Sequence, residues 1–323
     1  MPINTLAYAA IFQKELDKAA AHEALTGWME ANAGQVIYNG GSEVKIPKMT
    51  LQGLGDYDRD NGYVQGAVTL SYETREMTQD RGRKFQLDAM DVDETNFVAT
   101  AGAVMGEFQR LHVVPEIDAY RISKVASAAI TAAITGLVEY GYTPAKATAL
   151  EKLKTMIALI RDGGYNGPLV CHATSAFKTQ LELGLAAQLT TVTWNNGGID
   201  TIVPAVDQVP IIETPQNRMY TAITTNDGTT SGQTGGGYAK GATGKDINFI
   251  LMAAPTPIAV SKQDVMRIFD PLTNQKANAW AMDYRRYHDL WIKDNALKTI
   301  AVNIKDAAPE GTTGETGSTG QTG

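Results

Sequence analysis

Residues 66–88 read GAVTLSYETREMTQDRGRKFQLD, and this stretch decides the fold expected for the 323-residue chain. Its first half alternates apolar and polar side chains, which is typical of a β-strand. Gln79 to Gly82 predicts a turn, and Arg83 to Asp88 predicts a returning strand. A two-stranded ribbon with so few large apolar residues is marginal by itself. The sequence therefore predicts a projecting hairpin that other copies of the chain must cover.

A second polar segment, Lys48 to Gln65, precedes this ribbon and lengthens the projection. The simpler alternative is a solvated hairpin that folds back onto its own domain. The long polar segment has almost no hydrophobic anchor, and this favours the projecting form.

A long amphipathic helix is predicted after the ribbon. Asp91 to Asn96 supplies acidic and capping side chains for a helix start. From Phe97 to Val125, apolar residues recur every three or four positions. Pro115 lacks a backbone donor, so we expect it to kink or briefly break the helix.

The rest of the sequence shows the patterns of both helices and strands. We expect an Ala-rich helix or arm over residues 5–33, short strands at 36–38 and 44–47, and an α/β unit from residue 143. Within that unit, Thr143-Pro144 predicts a helix start, Gly163-Gly164 its end, residues 168–172 a strand and 173–187 a helix.

The last third of the chain is richer in strands. We expect a long loop at 225–246, strands at 247–252 and 257–260, and a helical turn from Asp264 to Phe269. Segments 280–293 and 297–304 are expected to form an antiparallel hairpin. Glycine recurs at every third position from Gly311, but so short a repeat indicates a flexible tail rather than a collagen helix.

Composition excludes several classes of protein. The net charge is −7, so no general polyanion-binding surface is expected. The single Cys171 lies in an apolar run, which predicts a buried core residue and excludes a disulfide within one copy. No apolar run is long enough to span a membrane, and the first residues do not resemble a secretory signal.

Searches for catalytic or metal sites find no convincing motif. Gly241 to Asp246 resembles a phosphate loop, but the required first glycine is Ala239 and Asp246 replaces the magnesium-binding hydroxyl. Asp56 to Gly62 resembles a calcium loop, yet its glycine is one place late and Ala67 stands where a glutamate belongs. The four histidines lack ligand spacing. We therefore expect no catalytic residue, metal or cofactor.

The order of these parts resembles the major capsid protein of tailed bacteriophages, with the Hong Kong 97-like fold shared with encapsulin shells. Four segments carry the resemblance: Val68 to Leu87, Asp93 to Val125, Leu150 to Leu189 and Tyr284 to Trp291. It implies an α+β chain with an N-terminal arm, an extended β-hairpin loop, a spine helix, a peripheral domain and an α/β axial domain.

The resemblance also implies domain boundaries. They are an N-terminal arm at 1–43, an extended loop at 44–91, a peripheral domain with the spine helix at 92–130 and 255–305, an axial domain at 131–254 and a flexible tail at 306–323.

The implied function is mechanical. Copies of the chain would form hexamers and pentamers of an icosahedral phage head around double-stranded DNA, which is held without sequence-specific binding. Inter-subunit contacts are expected at one set of loop residues: Glu73, Arg75, Glu76, Arg81, Arg83, Lys84 and Phe85. The chain would be a virion component assembled in the host cytoplasm.

Partners follow from the same resemblance. No coiled-coil extension precedes the arm, so we expect a separate scaffolding protein, together with a portal. Some relatives join a loop lysine to a peripheral asparagine, but no motif supports such a bond between Lys84 and Asn278 or Asn295. Two alternatives remain open, an encapsulin-like compartment and a soluble α/β enzyme or ligand-binding protein with a lid at 225–246.

Overall fold

The computed structural model describes residues 24–38, 43–90, 101–185, 189–196, 198–274 and 276–309. The expected helix start at 91–96, most of the N-terminal arm and the glycine-repeat tail lie outside these residues. The fold is mixed, as predicted, with helices and four sheets.

The strands, in chain order, are β1 Ile37–Tyr38, β2 Glu43–Leu51, β3 Val68–Glu76, β4 Gln79–Asp88, β5 Val138–Glu139, β6 Leu169–Ala173, β7 Thr190–Asn196, β8 Ile199–Val206, β9 Val209–Glu213, β10 Ile223–Thr225, β11 Tyr238–Lys240, β12 Ile247–Ala253, β13 Ile258–Phe269, β14 Ala279–Trp291 and β15 Ile300–Ile304. The α-helices are α1 Ala101–Phe108, α2 Val114–Ala132, α3 Ala149–Asp162 and α4 Ser175–Leu185. Segments Gly27–Gln35, Gln216–Arg218 and Asp294–Thr299 are 3₁₀ helices.

The chain divides into two compact units. The first comprises Met1–Arg121, Thr193–Thr201 and Ala254–Ala296, and the second comprises Ile122–Val192, Ile202–Ala253 and Leu297–Gly323.

Two three-stranded sheets, β1-β2-β3 and β13-β14-β4, belong to the first unit. The second sheet packs against α1, where Met105 is fully buried against Met282 and Tyr284. The rings of Phe85 on β4 and Phe108 on α1 meet edge to face at 4.8 Å. This aromatic contact links strand β4 to the helix.

Helices α1 and α2 are joined by one π-helical segment, Gln109–Val113, directly before Pro115. Proline cannot donate the helical hydrogen bond, and the wider turn accommodates the missing bond without ending the helix. The chain therefore stays helical through Pro115, and the expected break takes the form of a π-helical stretch that ends two residues before it.

Most of a seven-stranded sheet in the order β5-β15-β12-β6-β9-β8-β7 belongs to the second unit, while the parts of β7 and β8 within Thr193–Thr201 are assigned to the first. Strands β6, β12 and β15 are buried along their whole length. Helices α3 and α4 pack on this sheet through Leu153, Ile160 and Phe177. The predicted strand at 168–172 and helix at 173–187 are confirmed as β6 and α4, and Gly163 ends α3 as expected.

The predicted pairing of the 66–88 ribbon is wrong. Strand β3 pairs with β2, whereas β4 pairs with β14 in a different sheet. The expected turn at Gln79 to Gly82 lies inside β4. Gly82 serves close packing instead of a turn, because a Cβ there would stand 2.7 Å from the carbonyl oxygen of Tyr284.

Three further predictions are wrong. The expected helical turn at Asp264–Phe269 is the second half of β13, where pairing with β14 overrides the local pattern. The expected terminal hairpin does not form, since β14 pairs with β13 and β4 while β15 pairs with β12 and β5. Helix α3 begins at Ala149 and not near Thr143.

Candidate assembly surface

Strands β2 and β3 form an antiparallel hairpin with Gln52 to Ala67 as its tip. Each residue of β2 shares a face with its partner on β3, and successive residues alternate between the two faces. The register therefore defines the chemistry of each face.

The base of the hairpin is anchored in the first unit. Val44 and Ile46 are buried together with Met77, Ile258 and Trp291. Both β2 residues lie on the same face, because they are two positions apart. Near the base, this face is therefore the inner one.

Farther out, apolar side chains occur on the opposite face. The register pairs Pro47 with Tyr72, Met49 with Leu70 and Leu51 with Val68, and these six residues are called the apolar stripe. Except for the partly buried Pro47, each is more than half exposed. The hairpin thus exposes a continuous apolar face that nothing in its own unit covers among the described residues.

The other face of the outer hairpin is polar. It carries the pairs Lys48 with Ser71 and Thr50 with Thr69. The Lys48 ammonium lies 2.6 Å from the Asp294 carboxylate, and both side chains are more than half exposed. Such an exposed ion pair contributes about 0–1 kcal/mol, so it restrains the position of the hairpin only weakly.

The concentration of apolar side chains is specific to this element. Nine of the fifteen large apolar side chains that the described residues expose lie between Met49 and Tyr72. At the tip, Asp58 and Gly62 form a backbone bridge, and the rings of Tyr57 and Tyr63 meet at 4.9 Å. The tip is thus locally ordered while Leu54 and Val64 remain exposed.

The predicted contact residues of β3 lie near the base of the hairpin. The Arg75 guanidinium pairs with the Glu73 carboxylate at 2.5 Å. Glu76 is exposed and lies opposite Glu43 in the register. Like charges that face each other across two strands destabilise the pair slightly.

The predicted contact residues of β4 lie in the other sheet. Arg81 makes a two-pronged ion pair with Glu116 at the start of α2, with Nε–Oε1 at 2.6 Å. Lys84 lies 3.8 Å from Asp283 on the neighbouring strand. Arg83 is exposed, and Phe85 is half-buried against α1. The structure therefore separates the seven residues between two sheets.

Sequence reasoning placed Val68, Leu70 and Tyr72 on one face of a strand, but it missed the other half of the apolar stripe on β2. The signal of the whole stripe was present in two alternating runs, Pro47-x-Met49-x-Leu51 and Val68-x-Leu70-x-Tyr72. Only the pairing of β2 with β3 places both runs on one face.

A partly buried charge network lies in the first unit, near the base of the hairpin. Arg121 on α2 is 1% exposed, and its guanidinium pairs with Glu30 at 2.5 Å. Arg286 on β14 pairs with the same Glu30 at 2.8 Å and with Asp264 at 2.7 Å. Burial favours a higher pKa for Glu30, but the two guanidinium groups outweigh it and lower that pKa.

No catalytic arrangement emerges from the described part of the chain. No group of His, Cys, Asp or Glu there could hold a metal ion. Burial raises the pKa of the Cys171 thiol and lowers that of His172 to about 3. Among these residues, no helix has the length and apolar character needed to cross a membrane.

Comparison with known proteins identifies the fold. No protein-family model and no curated protein matches the sequence. The mature capsid of bacteriophage PhiM1 matches with a TM-score of 0.55 and 11% identity, over 83% of each chain. The capsid of cyanophage P-SCSP1u matches with a TM-score of 0.52 and 10% identity, over 82% of this chain and 83% of that one. A structure of Mycobacterium phage Ogopogo matches with a TM-score of 0.52 and 12% identity, over 86% of this chain and 91% of that one. The chain therefore has the fold of phage capsid proteins.

Proposed function

We propose that this chain is a major capsid protein that assembles into hexamers and pentamers of an icosahedral phage head. The observation that carries the proposal is the apolar stripe, which stands exposed on a hairpin of a capsid fold. A contiguous apolar face of this kind marks a surface made for another protein. In a shell built from one protein, the partner that covers this face would be a second copy of the same chain.

The energy available from covering the stripe is substantial. A side chain of this size contributes about 1.5–3 kcal/mol when it is fully buried. Five such residues that are already partly covered contribute on the order of 1 kcal/mol each, or roughly 5 kcal/mol per hairpin before the cost of association. An exposed ion pair contributes about 0–1 kcal/mol by comparison. Apolar contact would therefore dominate, and charges would select the register.

The charged residues then divide by role. Glu73, Arg75, Glu76, Arg83 and Lys84 are proposed to select the neighbouring surface. Arg81 pairs with Glu116 in a partly buried position and Phe85 is half-buried against α1, so these two are proposed to contribute mainly by holding β4 in place.

We also propose the division expected from the sequence, with an arm at 1–43, an extended loop at 44–91, a peripheral domain with a spine helix at 92–130 and 255–305, an axial domain at 131–254 and a tail at 306–323. The hairpin β2–β3 is proposed as the counterpart of the extended loop, and α1 with α2 as that of the spine helix.

The shell would enclose double-stranded DNA without reading its sequence. A net charge of −7 suits this role, because a strongly basic wall would bind the phosphates of the DNA during packaging. A separate scaffolding protein and a portal are the partners that we propose. The assembled chain would be part of the virion, formed in the host cytoplasm without covalent cross-links.

A matched pair of variants tests the proposal. Leu70→Asp places a charge in the apolar stripe, whereas Thr69→Asp places the same charge on the polar face one residue away. Burial of an unpaired charge costs several kcal/mol, so Leu70→Asp should prevent particle formation and Thr69→Asp should not. Electron microscopy and light scattering of the chain, expressed with its neighbouring genes, measure this.

Three outcomes are decisive. Equal assembly of the two variants would show that the apolar stripe makes no contact. A wild-type chain that stays monomeric with all neighbouring genes present would overturn the shell itself. Particles that hold a protein cargo and no nuclease-protected DNA would identify an encapsulin-like compartment instead.

A further inference from the structure

Two residues connect the projecting hairpin to the body of the first unit. Strand β3 ends at Glu76 and strand β4 begins at Gln79, and these strands belong to different sheets. Together with the burial of Val44 and Ile46 on β2, the way Met77 and Thr78 are held on the β3 side therefore decides the direction of the hairpin. We call this pair the joint.

Met77 is held by burial and by one hydrogen bond. Its side chain is 6% exposed and packs with Val44 and Trp291. The Tyr287 hydroxyl donates to its carbonyl oxygen at 3.0 Å. These contacts fix the position of the joint, although one bond to a carbonyl leaves rotation about it possible.

Thr78 is held by a single buried carboxylate. Its backbone N–H and its hydroxyl both donate to Oδ2 of Asp289, each at 2.9 Å. Two donors from one residue to one oxygen restrain the backbone direction as well as its position. Asp289 itself is 1% exposed, so water competes little for these bonds.

The other oxygen of Asp289 is also occupied. Oδ1 accepts a hydrogen bond from the Tyr120 hydroxyl on α2 at 2.7 Å and from the Leu290 backbone N–H at 2.7 Å. The carboxylate therefore joins the long helix, strand β14 and the joint. Burial, followed by the negative charge of Asp289, raises the pKa of Tyr120, so its hydroxyl stays protonated and remains a donor at neutral pH.

We propose that Asp289 is a positioning residue that sets the angle at which the hairpin β2–β3 leaves the body. The ion pair of Lys48 with Asp294 is an exposed polar contact between the same hairpin and the segment that follows β14. Asp289 therefore directs the apolar stripe before any neighbouring copy binds. This inference adds a mechanism to the proposed function and rests on contacts within one chain.

The isosteric variant Asp289→Asn isolates this role. Its amide keeps one acceptor oxygen, which can still serve Tyr120 and Leu290, but its nitrogen then meets the Thr78 N–H donor to donor. If the amide rotates, the Thr78 bonds survive, the Leu290 N–H loses its acceptor, and the Tyr120 hydroxyl can only accept from the amide nitrogen. In either orientation one backbone N–H, that of Thr78 or that of Leu290, loses its acceptor, so the four hydrogen bonds of the carboxylate cannot all be kept.

The angle can be measured on the full, unassembled chain. Spin labels on Asp60→Cys at the tip and Arg267→Cys on β13 report the distance between hairpin and body, and the native Cys171 is fully buried. We expect Asp289→Asn to broaden or shift this distance distribution. We also expect the amide of Thr78 or of Leu290, whichever loses its acceptor, to exchange its hydrogen at least tenfold faster. The matched control Asp294→Asn, which removes the exposed ion pair, should leave both readouts near the wild-type values.

The possible outcomes distinguish a failure of this inference from a failure of the proposed capsid function. A wild-type distance distribution in Asp289→Asn would overturn the inference. If that variant does not fold, Thr78→Val decides, because it removes the hydroxyl bond to Asp289, together with the longer 3.4 Å contacts to Tyr120 and Gln79, and must still broaden the distribution. A chain that never assembles but shows the Asp289 effect would reject the capsid role while leaving this inference intact.

Discussion

His172 offers a quantitative prediction about acid stability. The imidazole is fully buried on β6, and its Nδ1 lies 3.1 Å from the Thr214 hydroxyl. Burial lowers its pKa in the folded chain to about 3. In the unfolded chain the pKa is about 6.5. Below pH 6.5 the unfolded state therefore binds a proton that the folded state excludes.

The sign and size of the effect follow from proton linkage. The folded pKa of this base is depressed, so stability falls as the pH falls from about 6.5 towards about 3. Each pH unit in that window costs about 1.4 kcal/mol, which gives a loss of about 2 kcal/mol between pH 7 and pH 5 from His172 alone. His288 is also buried with a lowered pKa, so it adds a loss of the same sign.

The variant His172→Asn removes the titrating group and places its amide nitrogen close to the position of Nδ1. It should be less stable than the wild type at pH 7, because a smaller side chain leaves a cavity. Its further loss between pH 7 and pH 5 should be about 2 kcal/mol smaller than that of the wild type. Thr214→Val is the matched control, since it lowers stability at every pH and keeps the same pH dependence.

Hydrogen exchange of the β6 amides measures this free energy, because His172 meets water only when the strand opens. Exchange is followed at pH 7 and pH 5 and corrected for its intrinsic pH dependence. The reasoning is refuted if His172→Asn loses as much stability on acidification as the wild type does.

Two backbone predictions complete the set. Gly82→Ala should destabilise the first unit by about 1–3 kcal/mol, since its Cβ would stand 2.7 Å from the Tyr284 carbonyl oxygen, whereas Gly53→Ala, with no atom within 4 Å, should change little. If Gly82→Ala unfolds at the same temperature as the wild type, β4 and β14 can move apart at this position without loss of stability, and the prediction is wrong. Ala133→Gly should stabilise the end of α2 by up to about 1 kcal/mol, because Ala133 has a φ of 47°, while Ala128→Gly inside the helix should cost about 1 kcal/mol. Denaturant midpoints of both variants check this, and shifts of the same sign would contradict it.

The local sequence pattern predicted the helices and strands whose formation depends on residues close by in the sequence. The apolar spacing that continues to Val125 indicated a long helix, and Pro115 indicated its interruption, because both effects depend on backbone geometry within one turn. The buried runs at Val170 and Ile250 were recognised as strands for the same reason. Helix end and strand signals of this kind need no knowledge of distant partners.

Strand pairing could not be predicted in this way. The turn-like residues Gln79 to Gly82 suggested a return of the chain, yet β4 pairs with β14, some two hundred residues away in sequence. The expected partner of the terminal strand was wrong for the same reason. Period-two alternation shows that a segment is a strand, but it carries no information on which neighbour it pairs with.

The amino-acid sequence by itself predicted a polar segment from Lys48 to Gln65, which the structure shows to be largely exposed, and a long helix farther along the chain. It also carried the order of parts on which the resemblance to phage capsid proteins rests. The tertiary structure alone decided which strands form the hairpin, and therefore which face exposes the apolar stripe. The same is true of the buried Asp289 bonds to the joint. The physical reason is that side-chain alternation is local, whereas the register between strands and the burial of a carboxylate depend on residues brought together only by folding.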